Sequence, residues 1–337
     1  MRILLTGAGG MLGRATAKAL IARGDQVTVL QRRPSGLDCA EVLGDITDSG
    51  AMRAAAARAD AVLHLAAKVD IVGRWAEFVR VNVEGTRSVL AAAQQAGVSR
   101  FVHVSSPSVA HRGAAVMGQG AEPADPKGAR SNYARSKAMA ENLALEADTA
   151  EFPVLCIRPH LVWGPGDTQL IGPVLARARA GRLPLIGTGA ALVDTTYLDN
   201  AVDALIAAVD HCGPVHGESL VVSNGEPRSV GDIMRSVCAS AGIPGPRRSV
   251  PLPLAKAAGA AVETVWRATG RTDRPPMTTF LAEQLGTAHW FDQRRTRQAL
   301  GWTPRIPLDR GFQLLRHSFL REYVEQTRLR RGPLSDR

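Results

Sequence analysis

Aromatic side chains are scarce, with Phe, Trp and Tyr together making up 4% of 337 residues. A groove for single-stranded nucleic acid needs aromatic faces as well as positive charge. The net charge of +10, spread over scattered arginines, therefore comes without its usual companion. No nucleic-acid partner is expected, and the basic excess reads as solubility, anionic ligands and an acidic partner. Cysteine is equally sparse. Cys39, Cys156, Cys212 and Cys238 show neither paired nor metal-type spacing, so no disulfide framework and no metal site are expected. Reduced, mostly buried thiols in a cytoplasmic protein follow. Long apolar runs are also missing: the best, Pro251 to Arg267, is broken by Lys256 and Glu263, so no transmembrane span is expected. The chain runs directly into an apolar strand, Arg2-Ile-Leu-Leu-Thr6, with no signal-peptide pattern.

What is present is a strand, a glycine turn and a helix at the N-terminus. The run Thr6-Gly7-Ala8-Gly9-Gly10-Met11-Leu12-Gly13 places glycines in a G-x-x-G-x-x-G spacing before a helix over about 11–23. In a dinucleotide-binding turn Gly7 makes the tight bend, and Gly10 lets backbone approach a pyrophosphate near Met11 and Leu12. Gly13 lets helix and strand pack closely.

A second strand, Gln26 to Leu30, ends in Gln31-Arg32-Arg33. An acidic residue at this end would hold ribose hydroxyls; Arg32 and Arg33 instead suit a 2′-phosphate, unless they are plain solvated loop residues. Gly44-Asp45-Ile46 brings a carboxylate to where an adenine amino group would lie. Ala61-Val-Leu-His-Leu65 is a continuous apolar strand of buried parallel type. It runs into Ala66-Ala67-Lys68, and His64 within it reads as a packed, hydrogen-bonded residue rather than a ligand. A helix over Val81 to Gln95 opens with Asn82.

Strand Arg100-Phe-Val-His-Val104 delivers Ser105-Ser106-Pro107-Ser108 to its carboxyl end, the edge at which ligands gather in open α/β sheets. A loop over about 107–130 brings His111 and Arg112 nearby. Ser131 and Asn132 can cap a helix bearing Tyr133 and Lys137, which lie one turn apart on one face. There the ammonium would favour the phenolate, bringing the tyrosine from its usual ~10 towards a working acid or base. A serine hydroxyl beside it would hold a carbonyl oxygen.

Strand Pro153 to Ile157 then reaches Arg158-Pro159-His160. The βαβαβ alternation predicts an α/β, doubly wound parallel sheet of Rossmann type with a smaller, mostly helical lobe. The expected division is 1–158 plus 191–232 for the dinucleotide-binding domain, and 159–190 plus 233–325 for the substrate-binding lobe. A frayed basic tail takes 326–337. Ala191 to Tyr197 and Glu218 to Val222 are expected to return to the main sheet. Residues 251–290, with the Trp163 to Leu170 loop, wall an apolar pocket or simply pack as core.

The glycine turn with Ser106, Tyr133 and Lys137 resembles the extended short-chain dehydrogenase/reductase superfamily over nearly the whole chain. Arg158-Pro-His-Leu-Val-Trp-Gly-Pro-Gly-Asp-Thr-Gln-Leu170 and Leu192-Val-Asp-Thr-Thr-Tyr197 look like its 3β-hydroxysteroid dehydrogenase group. Pro107-Ser-Val-Ala-His-Arg112, Ser223-Asn-Gly-Glu-Pro227 and Phe280 to Trp290 are similar to the 2-alkyl-3-oxoalkanoate reductases of bacterial olefin and β-lactone biosynthesis. This implies a hydride donor, NADPH, and a long-chain β-keto acid reduced to the β-hydroxy acid. Tyr133 would protonate the alkoxide, Ser106 rather than Ser105 would hold the carbonyl oxygen, and Lys137 would bind the nicotinamide ribose and lower the tyrosine pKa. The cofactor would lie along Gly7 to Gly13, Arg32, Arg33, Asp45, Ile46, Ala66, Ala67, Lys68, Asn82 and Pro159. Ser108, His111, Arg112, His160 and Trp163 are the substrate candidates. Where relatives carry Tyr-Gly, this chain has Ala110-His111, so His111 and Arg112 either meet a substrate carboxylate or are ordinary loop residues. The resemblance also allows a homo-oligomer and a complex with a β-lactone synthetase and its pathway partners. A sterol dehydrogenase, a nucleotide-sugar epimerase and a non-catalytic NADP-binding regulator or scaffold are the competing readings.

Overall fold

A computed structural model describes residues 1–70, 73–271, 273 and 275–331, with side chains through Tyr323. Seven parallel strands form the main sheet: β1 (Arg2–Thr6), β2 (Gln26–Gln31), β3 (Ala40–Leu43), β4 (Ala61–His64), β5 (Arg100–Val104), β6 (Val154–Pro159) and β7 (Glu218–Val222). Their spatial order is 3-2-1-4-5-6-7, so the strand order reverses between β1 and β4. Open α/β sheets bind ligands at such a switch point. The alternation of side chains explains why the strands are apolar throughout. Ile3 and Leu5 pack on one face with Leu20, Val29, Leu63 and Leu205. Leu4 packs on the other with Leu30, Met52, Val62 and Phe101. Both faces are covered by helices, so neither can be polar. Cutting Leu4, fully buried, to Ala would cost about 2–5 kcal/mol.

Helices α1 (Met11–Ala22), α2 (Asn132–Glu146) and α3 (Leu198–His211) flank this sheet. The remaining lobe holds α4 (Leu252–Thr269), α5 (Thr279–Gly286) and a four-stranded sheet ordered Arg228–Ser229, Leu192–Val193, His289–Phe291, Val116–Gln119.

Several expectations need correction. Ala191 to Tyr197 does not join the main sheet: Leu192–Val193 pairs with Arg228–Ser229 and His289, and Thr196–Tyr197 pairs with Val162–Trp163. The break falls at Asp194, whose buried carboxylate accepts from Ser223 Oγ (2.6 Å), Gly225 N and Glu226 N (both 3.1 Å). The helix of Asn82 does not open there. It begins at Trp75, anchored by fully buried Phe78, and Asn82 sits in a π-helical turn, Val79–Glu84, before Gly85–Gln95. Ala299, Leu300 and Trp302 pack into the main core. The final helix, Leu308–Arg331, carries the backbone through 326–331, which was expected to fray; 332–337 lie outside the described residues. All four cysteines are free, and Cys156, Cys212 and Cys238 are buried. Among the described residues no helix is long and apolar enough to cross a membrane.

Candidate active site

The glycine turn explains itself by sterics. Gly7 has φ +89°, and a Cβ there would lie 2.7 Å from the Ala66 nitrogen. A Cβ on Gly13 would lie 2.2 Å from the Gly7 carbonyl oxygen, so helix and strand can approach this closely only without a side chain. Gly10 N donates to that same oxygen at 3.1 Å, and a Cβ on Gly10 would meet it at an ordinary 3.7 Å. No side chain caps α1, so the first-turn N–H groups of Met11, Leu12 and Gly13 are left for an anion at the positive helix end. These residues fit the pyrophosphate of a dinucleotide.

At the end of β2 the Arg32 and Arg33 side chains are exposed and make no hydrogen bond or ion pair among the described residues. Asp45 is half-buried. Burial pushes its carboxyl upward, but Thr47 N (3.0 Å), Thr47 Oγ1 (2.8 Å) and the charges of Arg80 and Arg32 hold it below its ordinary value. Ile46 is buried against Gly85, where a Cβ would meet its Cδ1 at 2.4 Å, so it serves helix packing. Ala66 N donates to Thr6 Oγ1 at 3.2 Å, and Ala67 and Pro159 sit half-buried at the same edge. Lys68 turns its ammonium to Asp70 (2.9 Å) and Glu77 (3.2 Å).

His64 is the packed residue that the sequence indicates. Thr86 Oγ1 gives its proton to the Asn82 carbonyl (2.7 Å), so His64 Nε2 must donate to Thr86 (3.0 Å). Nδ1 then accepts from Thr6 Oγ1 at 2.7 Å. Burial keeps this ring neutral, pushing it down to about 3.

The helix with the Tyr-x-x-x-Lys pair starts at Ser131, whose Oγ accepts from Ala134 N at 3.1 Å; Asn132 instead reaches the Gly73 carbonyl. Asn82 ties this helix to the neighbouring loop: Oδ1 accepts from Lys68 N (2.7 Å), and Nδ2 donates to Lys68 O (3.1 Å) and Ser136 Oγ (2.8 Å). Ser106 Oγ lies 2.9 Å from Ser108 Oγ, and the Ser106 hydroxyl favours the ionised form of the Tyr133 phenol. Ser105 Oγ is buried without a partner.

The electrostatics differ from the expectation that Lys137 would lower the tyrosine. Burial pushes Tyr133 up to about 12, against the effect of the Ser106 hydroxyl. The Lys137 ammonium points to the end of β5, donating to Val104 O at 2.7 Å and His103 Nε2 at 3.1 Å. Burial lowers it to about 8, while Glu141 one turn along opposes the fall. Glu141 in turn accepts from Arg158 Nε (3.0 Å) and Ser219 Oγ (2.7 Å), an ion pair in which both side chains are almost wholly buried.

An apolar cavity of about 770 Å³ opens over Ser106 and Tyr133. Leu161, Ile171, Val174, Leu183, Met277 and Phe280 form much of its wall. Ser108, His111, His160 and Trp163 also line it, so these four substrate candidates are brought together. Arg112 is not among them: its exposed side chain pairs with Asp125 at 3.0 Å. The apolar wall comes from 275–291, from the segment after Trp163 and from Val230, Ile233, Met234 and Val237. Helix α4 lies behind it, its Gly259 pressed on the Thr278 backbone, where a Cβ would sit at 2.6 Å. Val262, Val265 and Trp266 do not line the cavity.

Five functional neighbours escaped the sequence reading: His103, Glu141, Arg158, Asp194 and His289. Glu141 could have been found, because Tyr133, Lys137 and Glu141 repeat at four-residue spacing on one helix face. His289, 129 residues from its partner His160, gives no local signal.

The fold aligns with a solved short-chain dehydrogenase/reductase superfamily protein from Agrobacterium tumefaciens with bound NAD, at TM-score 0.77 over 97% of this chain and 100% of that one, at 22% identity. The chain is an NAD(P)-dependent oxidoreductase with the extended short-chain dehydrogenase/reductase fold. It belongs to the NAD dependent epimerase/dehydratase family, whose model matches residues 3–223. It is 37% identical over 328 residues to a 2-alkyl-3-oxoalkanoate reductase of Stenotrophomonas maltophilia, covering 94% of this chain and 99% of that protein. A protein of the same description from Shewanella oneidensis is 34% identical over 93% of this chain and 85% of its own. A 3-beta-hydroxysteroid dehydrogenase of Mycolicibacterium neoaurum is 31% identical, over 90% and 87% of the two chains.

Proposed function

We propose that this protein reduces a long-chain 2-alkyl-3-oxoalkanoate to the 2-alkyl-3-hydroxyalkanoate with NADPH. The observation that carries the reading is the apolar cavity built directly over Ser106 and Tyr133. Its size falls in the usual range of ligand sites, roughly 300–1,000 Å³, and each methylene buried in it contributes about 0.8 kcal/mol. The relatives named 2-alkyl-3-oxoalkanoate reductase, matched over nearly their full length, support the same substrate class.

When bound, the cofactor supplies hydride to the ketone carbon. Ser106 holds the carbonyl oxygen, and Tyr133 delivers a proton from its hydroxyl as that oxygen gains charge. Lys137 holds the nicotinamide ribose and offers its ammonium to the developing negative charge. Arg32 and Arg33, exposed and held by no hydrogen bond or ion pair among the described residues, would meet the 2′-phosphate, and Asp45 would meet the adenine. The product acid would pass to β-lactone or olefin formation, and a β-lactone synthetase is the proposed partner.

Assay in the oxidative direction avoids β-keto acid decarboxylation. Purified protein receives syn and anti 2-alkyl-3-hydroxy acids, a 3β-hydroxysterol and a nucleotide sugar, each with NADP⁺ and NAD⁺. Turnover of a 2-alkyl-3-hydroxy acid with NADP⁺ is expected. A sterol is the second occupant that an apolar wall suits, and turnover of the sterol alone would replace the proposal with that reading.

A further inference from the structure

Deep in the cavity wall, His160 and His289 face each other edge to face, with ring centroids 4.9 Å apart. They form a chain with a carbonyl at each end. His160 Nδ1 lies 2.5 Å from the Asp194 carbonyl oxygen, His160 Nε2 lies 3.1 Å from His289 Nδ1, and His289 Nε2 lies 2.7 Å from the Gln284 carbonyl oxygen. A carbonyl only accepts, so both outer ring nitrogens must carry hydrogen. The inner contact needs one hydrogen more. The chain as built thus calls for three, and two neutral imidazoles bring two. With two, either a ring nitrogen lone pair faces a carbonyl, or two lone pairs face each other inside the protein.

The third proton carries a positive charge into an apolar site, and the surroundings supply no free anion for it. The Asp194 carboxylate is held by Ser223 Oγ, Gly225 N and Glu226 N. Glu283, on α5, is paired with Arg130 at 2.8 Å and Lys256 at 3.0 Å. Phe291 covers the His160 ring at 4.9 Å. The remaining titratable neighbour is His111, which is 5% exposed and lines the same cavity with its Nε2 buried and unpartnered. Among the described residues no group of three His, Cys, Asp or Glu is arranged to hold a metal ion, so the cluster is not a metal site.

We infer that His111, His160 and His289 form a carboxylate site whose charge is matched by taking up one proton from solvent, shared between His160 and His289, while His111 Nε2–H donates to the carboxylate. The inference rests on the proposed β-keto acid substrate and adds the residues that read its acid group. Without a carboxylate to face, the pair takes the two-hydrogen form with its unmatched lone pair, because burial holds His160 down to about 3 and His289 to about 4; burial also lowers His111. An arriving carboxylate reverses that balance, raising the pKa of the pair, so binding carries a proton with it. Affinity for the acid therefore rises as pH falls through the pKa of the complex. An ester or a sterol, having no charge to match, takes up no proton.

The test is titration calorimetry of the NADPH-saturated protein, in which the reduced cofactor and the hydroxy acid cannot react, with a 2-alkyl-3-hydroxy acid and with its methyl ester. Each titration is run near neutral pH in two buffers of different ionisation enthalpy. The expected result is uptake of up to about one proton with the acid and none with the ester. Asp194, pushed up to about 6 by burial, could also take a proton, so His289→Gln is the control: it leaves Asp194 and its three donors in place. That variant is expected to abolish the uptake and to cut the preference for acid over ester by at least about tenfold. Tight binding of the acid to the wild-type protein with no proton uptake overturns the shared-proton site and leaves the reductase reading standing. Uptake that persists in His289→Gln also overturns it. Failure of acid and ester alike to bind, with a sterol turned over, overturns both.

Discussion

Asn82 Nδ2 donates to Ser136 Oγ at 2.8 Å, and that bond ties the π-helical turn to the helix of Tyr133 and Lys137. Ser136 Oγ spends its own proton on the Tyr133 carbonyl at 2.9 Å, so the amide is the donor its oxygen receives. The same Asn82 side chain closes both backbone groups of Lys68. Asn82→Ala would strand buried polar groups at a cost of about 1–3 kcal/mol and let the catalytic helix shift. It is expected to lower Tm and, in steady-state assays, to lower kcat by at least about tenfold. A lowered Tm with unchanged kcat would show that Asn82 serves the fold alone.

The Lys137 ammonium titrates within the working range. Burial lowers it to about 8, so the charged form is present below that pH and is lost above it. If it holds the cofactor ribose and supports the proton transfer, kcat/KM for NADPH should fall as pH rises through about 8. Lys137→Arg, whose guanidinium does not titrate there, should flatten the profile at reduced rate. Glu141→Gln removes the charge that supports the ammonium and should move the midpoint lower. A wild-type profile flat through this range would contradict the assignment.

Glu141 and Arg158 are each within about 2% of complete burial. Removing one partner leaves the other charged and unpaired, so Arg158→Met should cost roughly 3–5 kcal/mol of stability. Chemical denaturation measures it. Arg158→Met combined with Glu141→Leu should recover most of the loss. A single variant as stable as the wild type would show that the pair contributes little.

Arg32 and Arg33 should set the cofactor preference. Replacing both by Ala should lower kcat/KM for NADPH by roughly 10- to 100-fold, as befits lost charge-assisted bonds to a phosphate. The value for NADH should change little. Equal losses with both cofactors would show that these arginines do not read the 2′-phosphate.

Much of this fold is legible because its signals are local. The apolar run of β1 and the glycines at 7, 10 and 13 are contiguous, and so are the helix spacing of Tyr133 and Lys137 and the strand-end serines. The parts that were misread depend on distant partners. Leu192 to Tyr197 has the apolar and β-branched character of a main-sheet strand, yet the ligands of Asp194 come from 223–226 and split it into two short pieces. Arg112 looked like a substrate residue beside His111, but Asp125 takes it outward. The spacing of Lys137 and Tyr133 is legible, but the Val104 backbone oxygen that the ammonium meets lies 33 residues away in sequence and gives no local signal.

The central claim is that Tyr133 donates the proton as hydride passes to the 3-oxo carbon of a 2-alkyl-3-oxo acid. The direct measurement uses NADPH deuterated at its transferable nicotinamide position and follows label into the carbinol carbon of the product by mass spectrometry, for wild type and Tyr133→Phe. The account predicts one deuterium per product molecule with the wild-type protein. For Tyr133→Phe it predicts unchanged NADPH binding, with label transfer slowed by at least about 10²-fold. Label transfer at the wild-type rate in Tyr133→Phe, or product formed without label, would contradict it.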